Sequence, residues 1–528
     1  MHDFTFQQRD FKAIRLWENI TDSQWNDPVW QTQNSIRDVE KLSEVIDLND
    51  HQKQCIRETV SQMKAQGKEP MRITPYYASL MAQNPFKPTY TSGEPFDKKI
   101  DPVFWQSVPT PAYFLFPRAG IEQSMAESER SFGAFYQRYP NRGALFVCEN
   151  TSCASFCTHC QRIKSLDKTT AITKTAIDKG LFYIGKNKNI DEVLVTGGDA
   201  LRIDKTRLKY VLDELCKMDN IRCIRIATRV PVVMPMGVTE ELLDTIDTAL
   251  KEHTCATDKN IYFMTHVNHY HEVTRQFVDC ITRIRQHGYA IRNQTVFLNH
   301  VNADFYTLAQ TFRRMWWAGV MPYYLLQCHN ERGLSHFIAP IHLGKHLTKH
   351  LYGWLSGTCR PTYSANLEGG GGKVTLMPSG YDIGDEQASG EQKLSKLSVT
   401  VHTWDDRIIK GYEALGRATK QEYVNSRNVM DAFLGRANIF KPAVVITDDD
   451  GSPVRTTRRR VPELTNEIKA DLLGYEKQSD NMPLTNPGEI RDKLEEEFLS
   501  EKRHDTSTAN TGGLKKGTEG IFSPSGPR

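Results

Sequence analysis

Short apolar runs alternate with amphipathic helical patterns between residues 144 and 327, and this alternation constrains the fold more than any other feature. The runs that predict buried strands are 144–148, 192–196, 221–227, 260–265, 290–298 and 321–327. Apolar residues recur at helical spacing in 205–218, and Thr239 is the expected N-cap of a helix over 240–250. Strands that alternate with helices form parallel βα units. Since a complete (β/α)8 barrel needs eight strands, six predict an α/β fold with an open or partial (β/α)6 barrel.

The remaining segments divide around this core. Residues 1–143 predict a mostly helical N-terminal region, and residues 144–388 contain the barrel. The pattern weakens in 389–503, which we interpret as a C-terminal extension. Residues 504–528 are rich in Thr, Ser, Gly and Pro and predict a disordered tail. A content of 39% hydrophobic and 25% charged residues is ordinary for a globular protein.

Charge and hydropathy exclude several classes of partner. Lys and Arg number 67 against 64 Asp and Glu, so the net charge of +3 does not favour nucleic acid or anionic lipid. No apolar run approaches the about 20 residues that a membrane span needs. The N-terminus lacks the basic and then apolar order of a secretory signal. The eleven cysteines are too sparse for a disulfide framework, which predicts a cytoplasmic protein in a reducing compartment.

Cys153, Cys157 and Cys160 form a C-x3-C-x2-C arrangement directly after the first predicted strand. Three thiolates so close together can bind three irons of a [4Fe–4S] cluster and leave the fourth iron open for a small molecule. The alternative is a zinc site, alone or in a non-enzymatic metal-binding module, but zinc needs a fourth ligand and the chain has no second C-x2-C pair. His159 lies between two of the cysteines, a poor position for reaching the same ion. We interpret Cys148 as a buried strand residue.

The cysteine spacing is typical of radical S-adenosylmethionine (SAM) enzymes, and further segments resemble the lysine 2,3-aminomutase family. They follow the family order over roughly residues 21–380, whereas the C-terminal third is not covered. Together these segments are highly specific, although each alone would be weak. The matching segments are 25–31, 73–77, 138–142, 195–201, 228–233, 265–269 and 369–373, with Gln161-Arg162 and Met377-Pro378.

The resemblance implies a set of cofactor-binding residues. Lys373, after four glycines, would hold pyridoxal 5′-phosphate (PLP) as a Schiff base and is the predicted catalytic residue. The glycines do not form a phosphate-binding P-loop, because Leu367 and Val374 stand where that motif needs Gly and Ser or Thr. The resemblance assigns the PLP phosphate to Arg138, Arg142 and Arg229, and SAM to Thr196, Gly197, Gly198, Asp199, His266 and Gln294.

The substrate positions depart from the lysine-specific pattern. Arg162 matches the residue that binds the substrate α-carboxylate, so a free amino acid is implied. The two aspartates that hold the lysine ammonium are replaced by His329 and Asn366. A buried ammonium without a counter-charge is unfavourable, and glutamate-specific members resemble this pair more closely. His329 could act as a neutral donor or as a cation below its pKa. The alternatives are a lysine 2,3-aminomutase or a related enzyme acting on a lysyl group or an unusual metabolite.

The resemblance also implies the reaction and its partners. A reduced cluster would cleave SAM to a radical that takes hydrogen from Cβ of the PLP-bound amino acid, and the amino group would move from Cα to Cβ. The enzyme is thus expected to be an isomerase that needs an electron donor such as flavodoxin or ferredoxin and forms a homo-oligomer. Structural zinc is not expected, since Asp304 replaces its core cysteine and no cysteine follows Cys359. Residues 120–135 resemble an insertion.

Overall fold

A computed structural model describes residues 8–88, 100–115, 130–162, 171–253, 259–367 and 370–376, together with Phe6 and three short strands further along the chain. Those strands are β11 (Asp382–Ile383), β12 (Val399–His402) and β13 (Ile408–Ile409), and they pair antiparallel. The predictions for the rest of 389–503 and for 504–528 lie outside the described residues. The division of the chain into domains stays a prediction.

The N-terminal part consists of short helices with strong start signals. In three of the six, an Asp or Thr caps the helix and a proline takes the first helical position, where its missing N–H costs nothing. The longest of them has Asn49 as its N-cap, and the Asn49 side chain accepts from Gln52 N–H in a capping box. The helices are α1 (Asp22–Trp25), α2 (Pro28–Gln33), α3 (Val39–Leu42), α4 (Asp50–Ala65), α5 (Pro75–Ser79) and α6 (Pro102–Ser107).

A ten-stranded sheet follows, with its strands in sequence order. The strands from β3 to β9 are all parallel, and β1, β2 and β10 extend the sheet antiparallel at its two ends. The strands are β1 (Ser131–Phe132), β2 (Phe135–Tyr139), β3 (Arg142–Phe146), β4 (Glu192–Thr196), β5 (Cys223–Ala227), β6 (Asn260–Thr265), β7 (Ala290–Phe297), β8 (Val320–Gln327), β9 (Thr362–Leu367) and β10 (Gly372–Thr375).

Helices connect the parallel strands, as βα units require. Thr239 caps one of them by accepting from Leu242 N–H, which confirms the predicted N-cap. Among the described helices, none combines the length and the hydropathy needed to cross a membrane. The connecting helices are α7 (Lys174–Lys186), α8 (Lys205–Lys217), α9 (Val230–Val233), α10 (Glu240–Lys251), α11 (Arg275–Gln286), α12 (Phe305–Ala318) and α13 (Ile341–Trp354).

The two faces of the sheet differ in burial. Residues such as Val193 and Ile224 are fully buried, whereas their strand neighbours on the other face, such as Arg225, are only half-buried. We call this second side the open face. Strand register and alternation place eleven residues on it: Arg142, Phe146, Leu194, Thr196, Arg225, Tyr262, Arg292, Gln294, Tyr324, Asn366 and Lys373.

The predicted α/β class is confirmed, and all six predicted strands are present within one or two residues at each end. The strand count is corrected. A seventh parallel strand, β9, follows the predicted six, and β1, β2 and β10 are also absent from the prediction. In the described residues the sheet is not closed by strand pairing, since β1 and β10 are its edge strands. The two ends still approach each other, because Lys373 N–H donates to the Tyr139 hydroxyl at 2.6 Å.

Candidate active site

The three clustered cysteines lie in a loop that leaves the carboxyl end of β3, and the N-terminal helices hold this loop in place. Arg72 Nη1 donates to the carbonyls of Thr151 and Cys153 at 2.7 and 3.0 Å. Thr158 N–H donates to the Gln106 carbonyl at 2.9 Å. The loop needs these partners because its described part, up to residue 162, contains no long helix or strand that would satisfy its own backbone groups.

The three thiols are not gathered as closely as the ligands of a single zinc ion. All three cysteines are free and half-buried. Burial raises the pKa of the Cys160 thiol to about 11 and also raises the pKa values of Cys153 and Cys157. Sulfur ligands of one tetrahedral zinc lie about 4 Å apart. In the described residues, two groups of possible metal ligands have all their ligand atoms within 4.8 Å of one another: Asp213, Glu252 and His253, and Asp244, Asp247 and His287. The cysteine triad is not one of these groups, so its sulfur atoms are spread more widely than 4.8 Å.

The Gly-Gly-Asp segment lies at the carboxyl end of β4, next to the cysteine loop. Asp199 is buried, and its carboxylate accepts from Thr228 Oγ1 and from Arg229 N–H at 2.7 Å each and from Leu201 N–H at 3.0 Å. These bonds tie the end of β4 to the end of β5. Gly197 has a φ of 153°, and a Cβ atom there would lie 2.5 Å from the Cys148 carbonyl oxygen. The glycine therefore permits close packing of neighbouring strand ends. Cys148 is buried, as predicted, but it lies two residues beyond the end of β3 and not in the strand.

Arg229 lies beside the cysteine loop. Its Nη1 donates to Cys157 Sγ at 2.6 Å, and its Nη2 forms an ion pair with buried Glu272 at 2.7 Å. The guanidinium of Arg229 also donates to the Tyr77 hydroxyl at 2.8 Å. The role that the resemblance implies for Arg229 at the phosphate, together with Arg138 and Arg142, stays a prediction.

His266 and Gln294 follow on the next two strands. His266 lies just beyond β6, and its ring centroid is 5.4 Å from that of His159. Burial lowers the pKa of His266 to about 3, so the imidazole is neutral. The ring nitrogen Nε2 of His159 lies 3.1 Å from Asn268 Nδ2. Gln294 lies on the open face of β7, opposite Tyr324.

Lys373 lies on β10, opposite Asn366 of β9. Its ammonium nitrogen is 5.2 Å from the centroid of the Tyr324 ring. Burial lowers the pKa of Lys373 to about 7, and the positive charges of Arg138, Arg225 and Arg142 contribute to the shift. A large fraction of the side chain is therefore a neutral amine near neutral pH, the form that attacks a carbonyl.

Two of the predicted phosphate arginines lie near this lysine. Arg138 and Arg142 stack against Tyr139, with guanidinium carbons 5.1 and 4.1 Å from the ring centroid. Arg225 also acts on Lys373, although sequence reasoning missed it, and it forms a 2.6 Å ion pair with Glu192. Tyr139 was likewise given no role. Two features of the sequence could have revealed these residues: Arg225 is a lone arginine inside an apolar strand, and Tyr139 lies between two predicted phosphate-binding arginines.

His329 and Asn366 form a hydrogen-bonded pair. Asn366 Nδ2 lies 2.8 Å from His329 Nε2. Burial lowers the pKa of His329 to about 4, and the charges of Arg138 and Lys373 contribute. His329 is therefore neutral near pH 7 and can donate only from Nδ1 while Nε2 accepts from Asn366. Of the two alternatives left open by the sequence, this geometry favours the neutral donor.

Arg162 connects the cysteine loop to the open face. Its backbone N–H donates to Cys160 Sγ at 3.3 Å, and its guanidinium carbon lies 4.0 Å from the centroid of the Phe146 ring. Most of the predicted residues thus form two groups at the carboxyl edge of the parallel strands, whereas Arg138 lies on β2, Arg142 at the start of β3 and Gln294 within β7. One group surrounds the cysteines after β3 to β6, and the other surrounds Lys373 after β8 and β9. This edge is where ligands bind in parallel α/β sheets.

Known aminomutases are similar to this chain. It is 33% identical over 368 residues to the L-lysine 2,3-aminomutase of Methanococcus maripaludis, a match that spans 69% of this chain and 78% of that protein. It is 30% identical over 395 residues to the glutamate 2,3-aminomutase of Clostridioides difficile, spanning 74% and 84%. It is 30% identical over 370 residues to the L-lysine 2,3-aminomutase of Clostridium subterminale, spanning 70% and 82%. No protein-family model matches the chain.

Proposed function

The chain belongs to the lysine 2,3-aminomutase family, and we propose that it moves the α-amino group of a non-cationic amino acid, such as glutamate, to the neighbouring β-carbon. Membership makes it an isomerase of the aminomutase kind. The proposal adds the cofactors, which are a [4Fe–4S] cluster, SAM and PLP. The identities to the lysine and glutamate enzymes differ by only a few per cent, so the choice of substrate depends on the residues of the site.

The donor groups of the site support this cofactor set. Cys153, Cys157 and Cys160 offer three free sulfur ligands in one loop, and Lys373 offers an amine that is about half neutral near pH 7, beside Arg138 and Arg142. When bound, the cluster and SAM supply one-electron chemistry, and PLP supplies a carbonyl and a conjugated ring. The guanidinium groups suit the phosphate because they form bidentate, charge-assisted bonds to its oxygens.

The protein's own residues position the substrate and manage charge. Lys373 must lose a proton before it can bond covalently to a carbonyl, and its lowered pKa makes this loss easy near pH 7. Arg162 would hold the α-carboxylate next to the cysteine loop. The ring of Phe146 packs against the Arg162 guanidinium and restricts its orientation. Residues at the ends of β4 and β6, including His266, would surround SAM.

The His329–Asn366 pair carries the substrate proposal. It lies next to Lys373 and Arg138, and neither of its side chains carries a negative charge. A lysine ammonium would there meet the positive charge of Arg138, while Glu192, a carboxylate that acts on Lys373, is already paired with Arg225. Placing an ammonium in such surroundings is costly at a buried site. A carboxylate or carboxamide would accept a hydrogen bond from neutral His329 and benefit from the nearby arginines. An acidic or amide side chain therefore fits this position better than an amine.

We also propose that the sheet is curved into a partial barrel around the site. Two contacts between its ends support this: the Lys373 N–H bond to Tyr139, and the approach of Arg130 to Gly370, where a Cβ would lie 2.5 Å from Arg130 Nε. A cytoplasmic homo-oligomer that receives its electron from a flavodoxin or ferredoxin, and that carries no structural zinc, completes the proposal.

An anaerobic assay tests the function. Reconstituted protein receives dithionite, SAM, PLP and one amino acid at a time, and chromatography separates the α- and β-isomers. We expect β-glutamate or the isomer of another non-cationic amino acid. Faster conversion of lysine would refute the proposed substrate but leave the aminomutase activity intact. Absence of any isomer from a protein with a full complement of iron and PLP would refute the proposed reaction.

A further inference from the structure

The guanidinium of Arg229 is buried and has a partner at every nitrogen. Only 8% of Arg229 is exposed, and Glu272 is fully buried. Nε donates to the His266 carbonyl at 3.2 Å, while Nη2 donates to the Tyr77 hydroxyl at 2.8 Å and to Glu272 Oε1 at 2.7 Å. These contacts fix the plane of the fork. Its remaining arm, Nη1, is thereby held at Cys157 Sγ at 2.6 Å.

Glu272 is equally constrained. Its Oε1 also accepts from the Tyr77 hydroxyl at 2.5 Å, and its Oε2 accepts from the backbone N–H groups of Asn268 and His269 at 2.6 and 2.9 Å. A buried arginine needs a counter-charge, and Glu272 provides it. The charge of the pair is thus balanced within itself. A directed N–H group is left at Cys157, one of the three predicted cluster ligands.

Hydrogen bonds to ligand sulfurs and the local charge set the reduction potential of iron–sulfur clusters. We propose that Arg229 is a positioning residue for the cluster, orienting Cys157 and stabilising the reduced state, with Glu272 limiting the size of this effect. This inference rests on the proposed function, since it requires a cluster at the three cysteines. It gives the Arg229 guanidinium a task at the cluster in place of contact with the PLP phosphate.

The two members of the pair should have opposite effects on the cluster. Removing the guanidinium in Arg229→Gln removes a positive charge and a donor to sulfur, so reduction becomes harder. Removing the carboxylate charge in Glu272→Gln leaves the guanidinium charge uncompensated, so reduction becomes easier. A purely structural role for the pair would not produce shifts of opposite sign.

The experiment is an anaerobic redox titration of the reconstituted full-length protein, without SAM or PLP, followed by absorbance near 400 nm. Iron and sulfide contents are measured on the same samples. We expect Arg229→Gln to disfavour electron uptake at least tenfold, which is about 59 mV for one electron, and Glu272→Gln to shift the potential in the opposite direction. Arg207→Gln is the matched control, because Arg207 is 9% exposed and donates to the Val147 carbonyl at 3.1 Å instead of to sulfur.

The outcomes separate the two proposals. A wild-type protein that takes up no iron and sulfide would refute the proposed function. Normal iron in all proteins, with potentials equal to the wild type within error, would overturn only the role of Arg229. If Arg229→Gln does not fold, Arg229→Lys replaces it, since it keeps the charge but loses the fixed fork. We then expect a smaller shift in the same direction, and an unchanged potential would again overturn the inference.

Discussion

At the scale of single residues, burial decides which side chains are reactive. Lys373 and His329 lie in the same group and share the positive surroundings of Arg138. Both pKa values fall because a buried cation loses its hydration and meets like charge. For the lysine this produces a nucleophile near pH 7, and for the histidine it leaves a neutral hydrogen-bonding group. The same physical cause therefore gives the two residues different chemical tasks.

The lowered pKa of Lys373 predicts a pH dependence for cofactor attachment. With a pKa of about 7, about half of the side chain is neutral at pH 7, compared with roughly one in three thousand for an ordinary lysine. The rate of attachment should therefore rise between pH 6 and 8 and level off above. Stopped-flow absorbance of apoprotein mixed with PLP measures this rate. A rate still rising steeply at pH 9.5 would contradict the prediction, and Lys373→Ala should abolish the covalent label after borohydride reduction.

Each cluster cysteine should be indispensable. Replacing Cys153, Cys157 or Cys160 by Ala removes one of three ligands, so we expect loss of most iron and of SAM cleavage, while covalent attachment of PLP at Lys373 persists. Cys280→Ala is the matched control, because Cys280 is fully buried in α11 and contributes only to packing. Any triad variant that retains full iron and cleaves SAM would disprove the cluster assignment.

Spacing revealed the residues whose chemistry is local, and missed those whose role depends on distant partners. The cysteine triad could be found because three thiols within eight residues have few structural explanations. The position of the Arg229 guanidinium could not be predicted from the sequence. It depends on Tyr77 from α5 and Glu272 from beyond β6, which lie 152 and 43 residues away in the chain. Only the folded chain brings these groups together.

At the scale of secondary structure elements, the strands packed under helices were the predictable ones. Residues 261–264 of β6 are apolar or aromatic on both sides, and the predicted bounds, 260–265, agree with the strand. Strand β9 reads Thr-Tyr-Ser-Ala-Asn-Leu, with polar residues at alternate positions. These polar residues face the open side of the sheet, so the strand lacks the continuous apolar run of a buried parallel strand. The polar residues that β9 contributes to the site, including Asn366, are therefore the reason that the sequence pattern did not predict this strand.

Strand β10 contacts the opposite end of the sheet through the hydrogen bond from Lys373 N–H to the Tyr139 hydroxyl. This contact predicts the effect of removing that hydroxyl group. Tyr139→Phe removes the acceptor for Lys373 N–H and should cost about 1 kcal/mol, or roughly fivefold in PLP affinity. Fluorescence titration with PLP measures the affinity, and Lys373 should still be labelled. Tyr76→Phe is the control, because the buried hydroxyl of Tyr76 bonds at 2.5 Å to Thr274, the N-cap of α11, and not to β10. Equal affinities for both variants would exclude the proposed link between the sheet ends.

At the scale of the whole molecule, the N-terminal helices and the parallel sheet build the site jointly. The helices supply Arg72 and Gln106, which hold the cysteine loop, and Tyr77, which contacts Arg229. The sheet supplies the strands, and the loops that follow them, on which the predicted site residues lie. Because both parts contribute, residues 1–143 and the barrel predicted from 144 onward cannot be treated as independent in the chemistry of the cysteines.

The last prediction concerns the charge balance of the substrate position. Changing His329 and Asn366 together to Asp introduces two carboxylates beside Lys373, and a buried ionic mismatch is worth about 2–5 kcal/mol, or roughly 30-fold to several thousand-fold. We expect the preference to move from glutamate toward lysine by this order. The new carboxylates should also raise the pKa of Lys373 above about 7, since an opposite charge favours the ammonium form. The pH at which PLP attachment is half-maximal should therefore rise as well.

A conservative variant separates charge from hydrogen bonding at the same position. His329→Gln keeps a neutral hydrogen-bond donor, so this variant should retain the preference for glutamate. In the wild-type protein, His329 has a pKa of about 4, so its titration should not lower the turnover of glutamate between pH 6 and 8. Both are measured as kcat/KM for glutamate and lysine by chromatography of the isomers. If His329→Gln lost the preference for glutamate while binding PLP normally, a protonated His329 would have to pair with the substrate, and the neutral donor would be the wrong interpretation.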